Sequence, residues 1–141
     1  MKRPFIYLAA VASSVVALMA PGTAQADPGV TVVIGATATL QARTLVTVPI
    51  TVTCDPVGTF FSMSFVSIEQ ASGTAIASGS GFISTLTCDS TAHTYQVSVL
   101  GNTSGPPFHG GPAVARASVN IFGSLGGEGG SAGPQTISLR G

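Results

Sequence analysis

Between Val46 and Cys54 an apolar side chain occupies every even position and Thr or Pro every odd one. A period of two sends the two sets to opposite faces of a strand. Elsewhere, short runs rich in Val, Ile, Thr and Phe alternate with Gly, Pro and Ser clusters, which predicts an all-β domain. Val30–Ile34 and Ala36–Ala42 read as a first strand split at Gly35, and Val46–Cys54 as the second. Phe60–Gln70 is predicted as a third, with Phe61, Met63 and Phe65 turned into the core. Thr74–Thr87 reads as one long strand bent at Gly79–Gly81. His93–Leu100 follows with Tyr95, Val97 and Val99 inward, then Pro112–Phe122 with Ala113, Ala115, Ala117, Val119 and Ile121 on one face. Gly123–Pro134 is glycine-rich and is expected to be a mobile loop, after which Gln135–Leu139 closes the sheet as an edge strand; the alternative is a disordered tail. Pro49 has no N–H for a ladder, so its strand needs either a local edge or a bulge there.

The N-terminus follows a different pattern. Lys2 and Arg3 precede an apolar run from Phe5 to Met19, Pro21-Gly22 breaks it, and Ala24-Gln25-Ala26 supplies a small-x-small cleavage site. These are the parts of a secretory signal peptide over residues 1–26, cleaved after Ala26. An uncleaved anchor is the rival, but the run is short for a span and the cleavage site follows it directly. The mature chain, 27–141, is one domain and is expected to be secreted or associated with the cell envelope, with no membrane span after cleavage.

Charge narrows the partners. From Asp27 onward the side-chain cations are Arg43, Arg116 and Arg140, without a lysine, against Asp27, Asp55, Glu69, Asp89 and Glu128. Nucleic acid and anionic lipid need a basic footprint that this chain lacks. An unknown protein, a glycan or a small ligand remains as the expected partner.

The two cysteines, Cys54 and Cys88, are expected to form one disulfide in an exported chain. A zinc thiolate site is the rival, and it lacks the ligands. Closing the loop between them is worth about 4 kcal/mol in the chain-entropy treatment. If successive strands run up and down, both cysteines reach the same end only when Thr74–Thr87 counts as one strand. That order matches an immunoglobulin-like Greek-key sandwich of about seven strands, with His93–Leu100 beside Val46–Cys54. The antibody pattern itself is absent, for there is no Trp.

Thr53-Cys54, Cys88-Asp89, His93 and Tyr95 resemble the first-strand Thr-Cys and later Cys-Asp-turn-His-x-aromatic segment of small secreted actinobacterial domains of unknown function. Gly105-Pro106-Pro107-Phe108 and Gly111-Pro112-Ala113 are similar to the loop before that family's penultimate strand. The resemblance implies an immunoglobulin-like sandwich and export, and no activity.

Candidate chemistry is sparse. A nucleophile elbow needs a strand-turn-helix setting, and outside the leader no segment has sustained helical periodicity; no cofactor is expected. Asp55 and Asp89 each follow a cysteine, so the disulfide would bring them to one end as a candidate weak cation site. The competing reading is that both serve their own turns, since Ca²⁺ takes more oxygen ligands than are in view. Phe108 and His109, on a proline-stiffened loop, are a candidate contact loop; the competing reading is that Phe108 plugs the end of the domain. The expected function is therefore a non-catalytic binding module of unknown partner. The alternative is a carrier of a small apolar ligand in a cleft between the sheets.

Overall fold

The strand Leu45–Cys54 is buried at every even position, as its alternation predicts. In the computed structural model, which describes residues 29–58, 60–124 and 126–141, it is the third of eight strands, β3. The expected leader, 1–26, lies outside the described residues. β1 is Val30–Ile34, β2 Thr37–Ala42, β4 Phe60–Ser72, β5 Ala75–Gly81, β6 Ala92–Gly101, β7 Gly111–Gly123 and β8 Gly126–Arg140. The described residues contain no helix.

All eight strands belong to one hydrogen-bonded sheet. Its pairings run in a circuit from β3 through β6, β5, β4, β7, β8 and β2 back to β3. Only the β2–β8 pairing is parallel. The strand count exceeds the expected seven because the first strand divides into β1 and β2. Both share one edge of β3: β2 pairs from Leu45 to Thr47 and β1 from Ile50 to Cys54. Pro49 falls between these two ladders. Its carbonyl accepts the Gly35 N–H at 2.8 Å, and its missing donor coincides with the break in the first strand. The β3–β6 register runs from Leu45↔Leu100 to Thr53↔Ala92 without a shift, so Pro49 sits at a local edge and not at a bulge. Gly35 is required there, since a Cβ would strike the Pro49 ring.

Inside the circuit, Val46, Val48, Ile50, Val52, Val97 and Val99 from β3 and β6 meet the Ala113–Ile121 stripe of β7 together with Val66, Ile68, Ile137 and Leu139. The expected inward face of β7 is thus buried throughout. Three other expectations are corrected. First, Phe61, Met63 and Phe65 point outward, and the inward residues of β4 are the even ones ending in Val66, Ile68 and Gln70. The partners of Val66 and Ile68 are the buried Ala117 and Ala115, and this pairing fixes the phase of the whole strand. Second, Thr74–Thr87 is not one strand. β5 stops at Gly81, where any Cβ would meet the Ser98 carbonyl of β6. The chain then runs irregularly, burying Ile83 and Leu86, with the Ile83 N–H donating to Ser64 Oγ at 2.6 Å.

Third, most of the expected loop 123–134 is strand. β8 pairs with β7 from Gly123↔Gly126 to Gly111↔Leu139, with one register shift between Ala115 and Ala117. At that shift Gly133 and Pro134 together oppose Arg116, which is a β-bulge. Gly130 allows the close approach of β1, whose Val30 carbonyl lies 2.6 Å from where a Cβ would be. Gln135–Leu139 does close the sheet, but it is flanked by β7 and β2 and is not an edge.

Candidate functional site: an exposed aromatic sheet face

The phase of β4 decides what its surface offers. With Val66 and Ile68 inside, the period of two places Phe61, Met63 and Phe65 on the outer face, each more than half exposed. Phe122 of β7 is the register partner of Phe61, and the two rings stack with centroids 6.4 Å apart. Stacked aromatic pairs in this range attract beyond simple burial. Phe65 also shares a groove of about 460 Å³ with Phe82 and Leu100, themselves 70% and 65% exposed. The opposite neighbours of Met63 and Phe65 are Asn120 and Ser118, both uncharged. Charge begins further along, where Arg116 Nη1 meets Glu69 Oε2 at 3.2 Å.

Six large apolar side chains therefore share one outer region. Taking ~200 Å² for a large side chain, they expose roughly 700 Å². The largest apolar patch of an ordinary monomer is about 300–600 Å². The sequence holds this signal in the Phe-x-Met-x-Phe spacing, but composition alone assigns such a stripe to the core.

The disulfide end is arranged differently. Cys54 and Cys88 are bonded, with S–S 2.06 Å and Cα atoms 4.7 Å apart. Asp55 Oδ1 accepts the Ser90 hydroxyl at 2.9 Å. Asp89 Oδ1 accepts the Thr91 hydroxyl at 2.6 Å and the Thr91 N–H at 3.0 Å, and lies 2.8 Å from His93 Nε2. Asp89 is thus engaged within its own turn, and Asp55 with Ser90 across the disulfide. Among the described residues, no group of three or more His, Cys, Asp or Glu is placed to hold a metal ion.

The Thr91 hydroxyl, then His93, then the Thr91 N–H hold the Asp89 carboxyl down at about 2, from an ordinary 3.8. Its folded-state value lies below the unfolded one, so its contribution to stability is complete above about pH 4 and is lost as pH falls through about 2. Asp89→Asn should flatten this acid limb in thermal melts taken from pH 6 to pH 2. Parallel losses of stability in the two proteins over that range would contradict the assignment.

The proline loop splits its two candidates. Phe108 is 2% exposed and packs against Gly101, so it is a plug and not a surface contact. His109 is exposed, its ring nitrogens 2.9 Å from the Gly110 carbonyl and 3.1 Å from that of Ala71. Gln70, which no sequence pattern singled out, fastens this loop. Its Nε2 donates to the His109 and Pro112 carbonyls at 2.8 and 3.2 Å, and its Oε1 accepts the His109 N–H at 2.9 Å.

The space between facing strands, where the alternative carrier reading puts its cleft, holds Val, Ile and Ala side chains. The groove beside Phe65 opens on the outer face instead. No helix among the described residues is long and apolar enough to cross a membrane. Comparison with protein-family models, with curated proteins and with solved structures finds no match to this chain.

Proposed function

We propose that this protein is an exported, non-catalytic immunoglobulin-like sandwich that binds a partner through the outer face of β4 and β7. The observation that carries the reading is the Phe61–Met63–Phe65 stripe with Phe122, a contiguous apolar face without charge. Together with Phe82 and Leu100 the exposed apolar area, roughly 700 Å², approaches the ~800 Å² per side of a standard protein–protein interface, which favours a protein surface as the partner. The sandwich reading is supported by connectivity: β1–β3–β6 and β2–β8–β7–β4–β5 form two halves, and the split first strand serves both. The leader and the disulfide support export, and the resemblance to small secreted actinobacterial domains agrees with both. The groove shared by Phe65, Phe82 and Leu100 lies within the ~300–1,000 Å³ of small-molecule sites, so a carrier role, if present, belongs on this outer face.

The test is a pull-down from culture supernatant and envelope fractions with the native protein and a Phe61→Ser/Phe65→Ser variant, washed in high salt. The proposal expects a polypeptide retained by the native protein through the wash and lost with the variant. Identical retention by both would overturn it. A small molecule released only from the native protein, with no polypeptide, would move the assignment to the carrier.

A further inference from the structure

We propose that the partner seated on the aromatic face is a second copy of this chain, packed face to face across a two-fold axis that passes through Met63. The inference rests on the reading of this face as a binding surface, and names its occupant. It begins from a symmetry in the sequence itself. Residues 61–65 read Phe-Ser-Met-Ser-Phe in either direction. The period of two sends Phe61, Met63 and Phe65 outward, with the two rings at equal spacing about Met63. A two-fold interface presents the same patch twice and must be complementary to itself. With Met63 on the axis and the strands antiparallel, Phe61 lies over the partner's Phe65 and Met63 over the partner's Met63. Aromatic then meets aromatic, and thioether meets thioether.

The shape of the face suits such a packing. The β7 partners of the stripe, Phe122, Asn120 and Ser118, pair in turn with Gly127, Gly129 and Ser131 of β8. A Cβ at Gly127 would lie 3.5 Å from the Phe122 ring, and one at Gly129 2.7 Å from Asn120 Oδ1. Phe122 and Asn120 thus lie across the β8 glycines and fill the step that the missing side chains leave. A levelled sheet face stacks on another at ~10 Å, with strand directions within about 30° of each other.

Area and charge agree. The six exposed apolar side chains offer roughly 700 Å², close to the ~800 Å² per copy of a standard interface, and homodimer interfaces are the more apolar kind. Charge begins only at Glu69 and Arg116, paired at 3.2 Å. Glu69 stands six residues along β4 from Met63. In the antiparallel dimer the two Glu69 carboxylates fall ~40 Å apart at ~3.4 Å per residue, far beyond the ~8 Å screening length. With the axis along the strands instead, they would face each other across the interface. Charge therefore selects the antiparallel arrangement. An interface of this modest size gives a reversible dimer that is monomeric when dilute.

The axis makes the test specific, because a group at position 63 meets its own copy. Met63 is 57% exposed, so a polar substitution there leaves the core untouched. The native protein, Met63→Asp and Met63→Lys, each with its disulfide intact, are sedimented to equilibrium from about 2 to about 200 µM, a span suited to weak interfaces. The native protein is expected to rise from the mass of one chain towards that of two. Each variant is expected to stay at one chain throughout, because like charges meet on the axis. An equimolar mixture of the two variants is expected to regain the two-chain mass, since Asp then faces Lys. Misfolding or lost apolar area would not be repaired by mixing. One-chain mass for the native protein at every concentration, native-like association of either variant alone, or a mixture that stays at one chain would each overturn the pairing. The pull-down judges the face separately: a foreign polypeptide held through Phe61 and Phe65 by a native protein that never doubles its mass overturns self-pairing and leaves the binding reading standing.

Discussion

Replacing Cys54 and Cys88 by alanine lowers stability by about 4 kcal/mol, within the ~2–5 kcal/mol typical of native disulfides in small exported domains. At the sensitivity of a domain this size the melting temperature falls by roughly 15–25 °C. The loss should be local in its dynamics. Cys88 ends the irregular run after β5, which has few ladder bonds of its own, and just beyond it the Ser90 N–H donates to the Cys54 carbonyl at 2.9 Å. Without the crosslink that run is tied to β3 by single hydrogen bonds. Hydrogen exchange should therefore lose protection first between residues 82 and 91, while β3 and β6 keep theirs. Equal stability of the native and disulfide-free proteins would show that the bond is not structural.

The second large effect separates the two faces of β4. Ile68→Ala removes a fully buried side chain opposite Ala115 and should cost about 3–4 kcal/mol. Phe65→Ala removes a larger side chain from the outer face and should cost less than about 1 kcal/mol, the range of strand propensity and cross-strand pairing. Urea unfolding of both variants reads the difference. Were the Phe stripe in the core, the order would reverse, because burial and not residue size sets the cost.

The same strand shows where sequence reading reaches its limit. β3 and β6 are legible because each contrasts Val or Ile with Thr, Ser or Gln at strict alternation, and β7 because its small apolar residues keep one parity from Ala113 to Ile121. In β4 both parities carry apolar residues: Phe61, Met63 and Phe65 on one, Val66 and Ile68 on the other. The larger side chains suggest the core, but the partner strand decides, and pairing with β7 is not written in β4 itself. β8 is hidden for two reasons. Its glycines lack side chains to show a period, and at Gly130 β1 comes too close for anything larger. Its bulge also changes parity, so the inward residues are even up to Ala132 and odd from Gln135. No fixed period detects such a strand. The disulfide was legible from the cysteine count and the expected leader. Gln70 was not, because its role depends on what long-range pairing places against it.

The proposed binding role depends on the outer face of β4 being open to solvent. Hydroxyl-radical footprinting of the dilute, purified monomer measures this directly, residue by residue. Met63, Phe61, Phe65 and Phe122 are expected to be modified rapidly, while Phe108, at 2% exposed, stays protected in the same sample. A monomer in which Met63 and Phe65 are as protected as Phe108 would contradict the account.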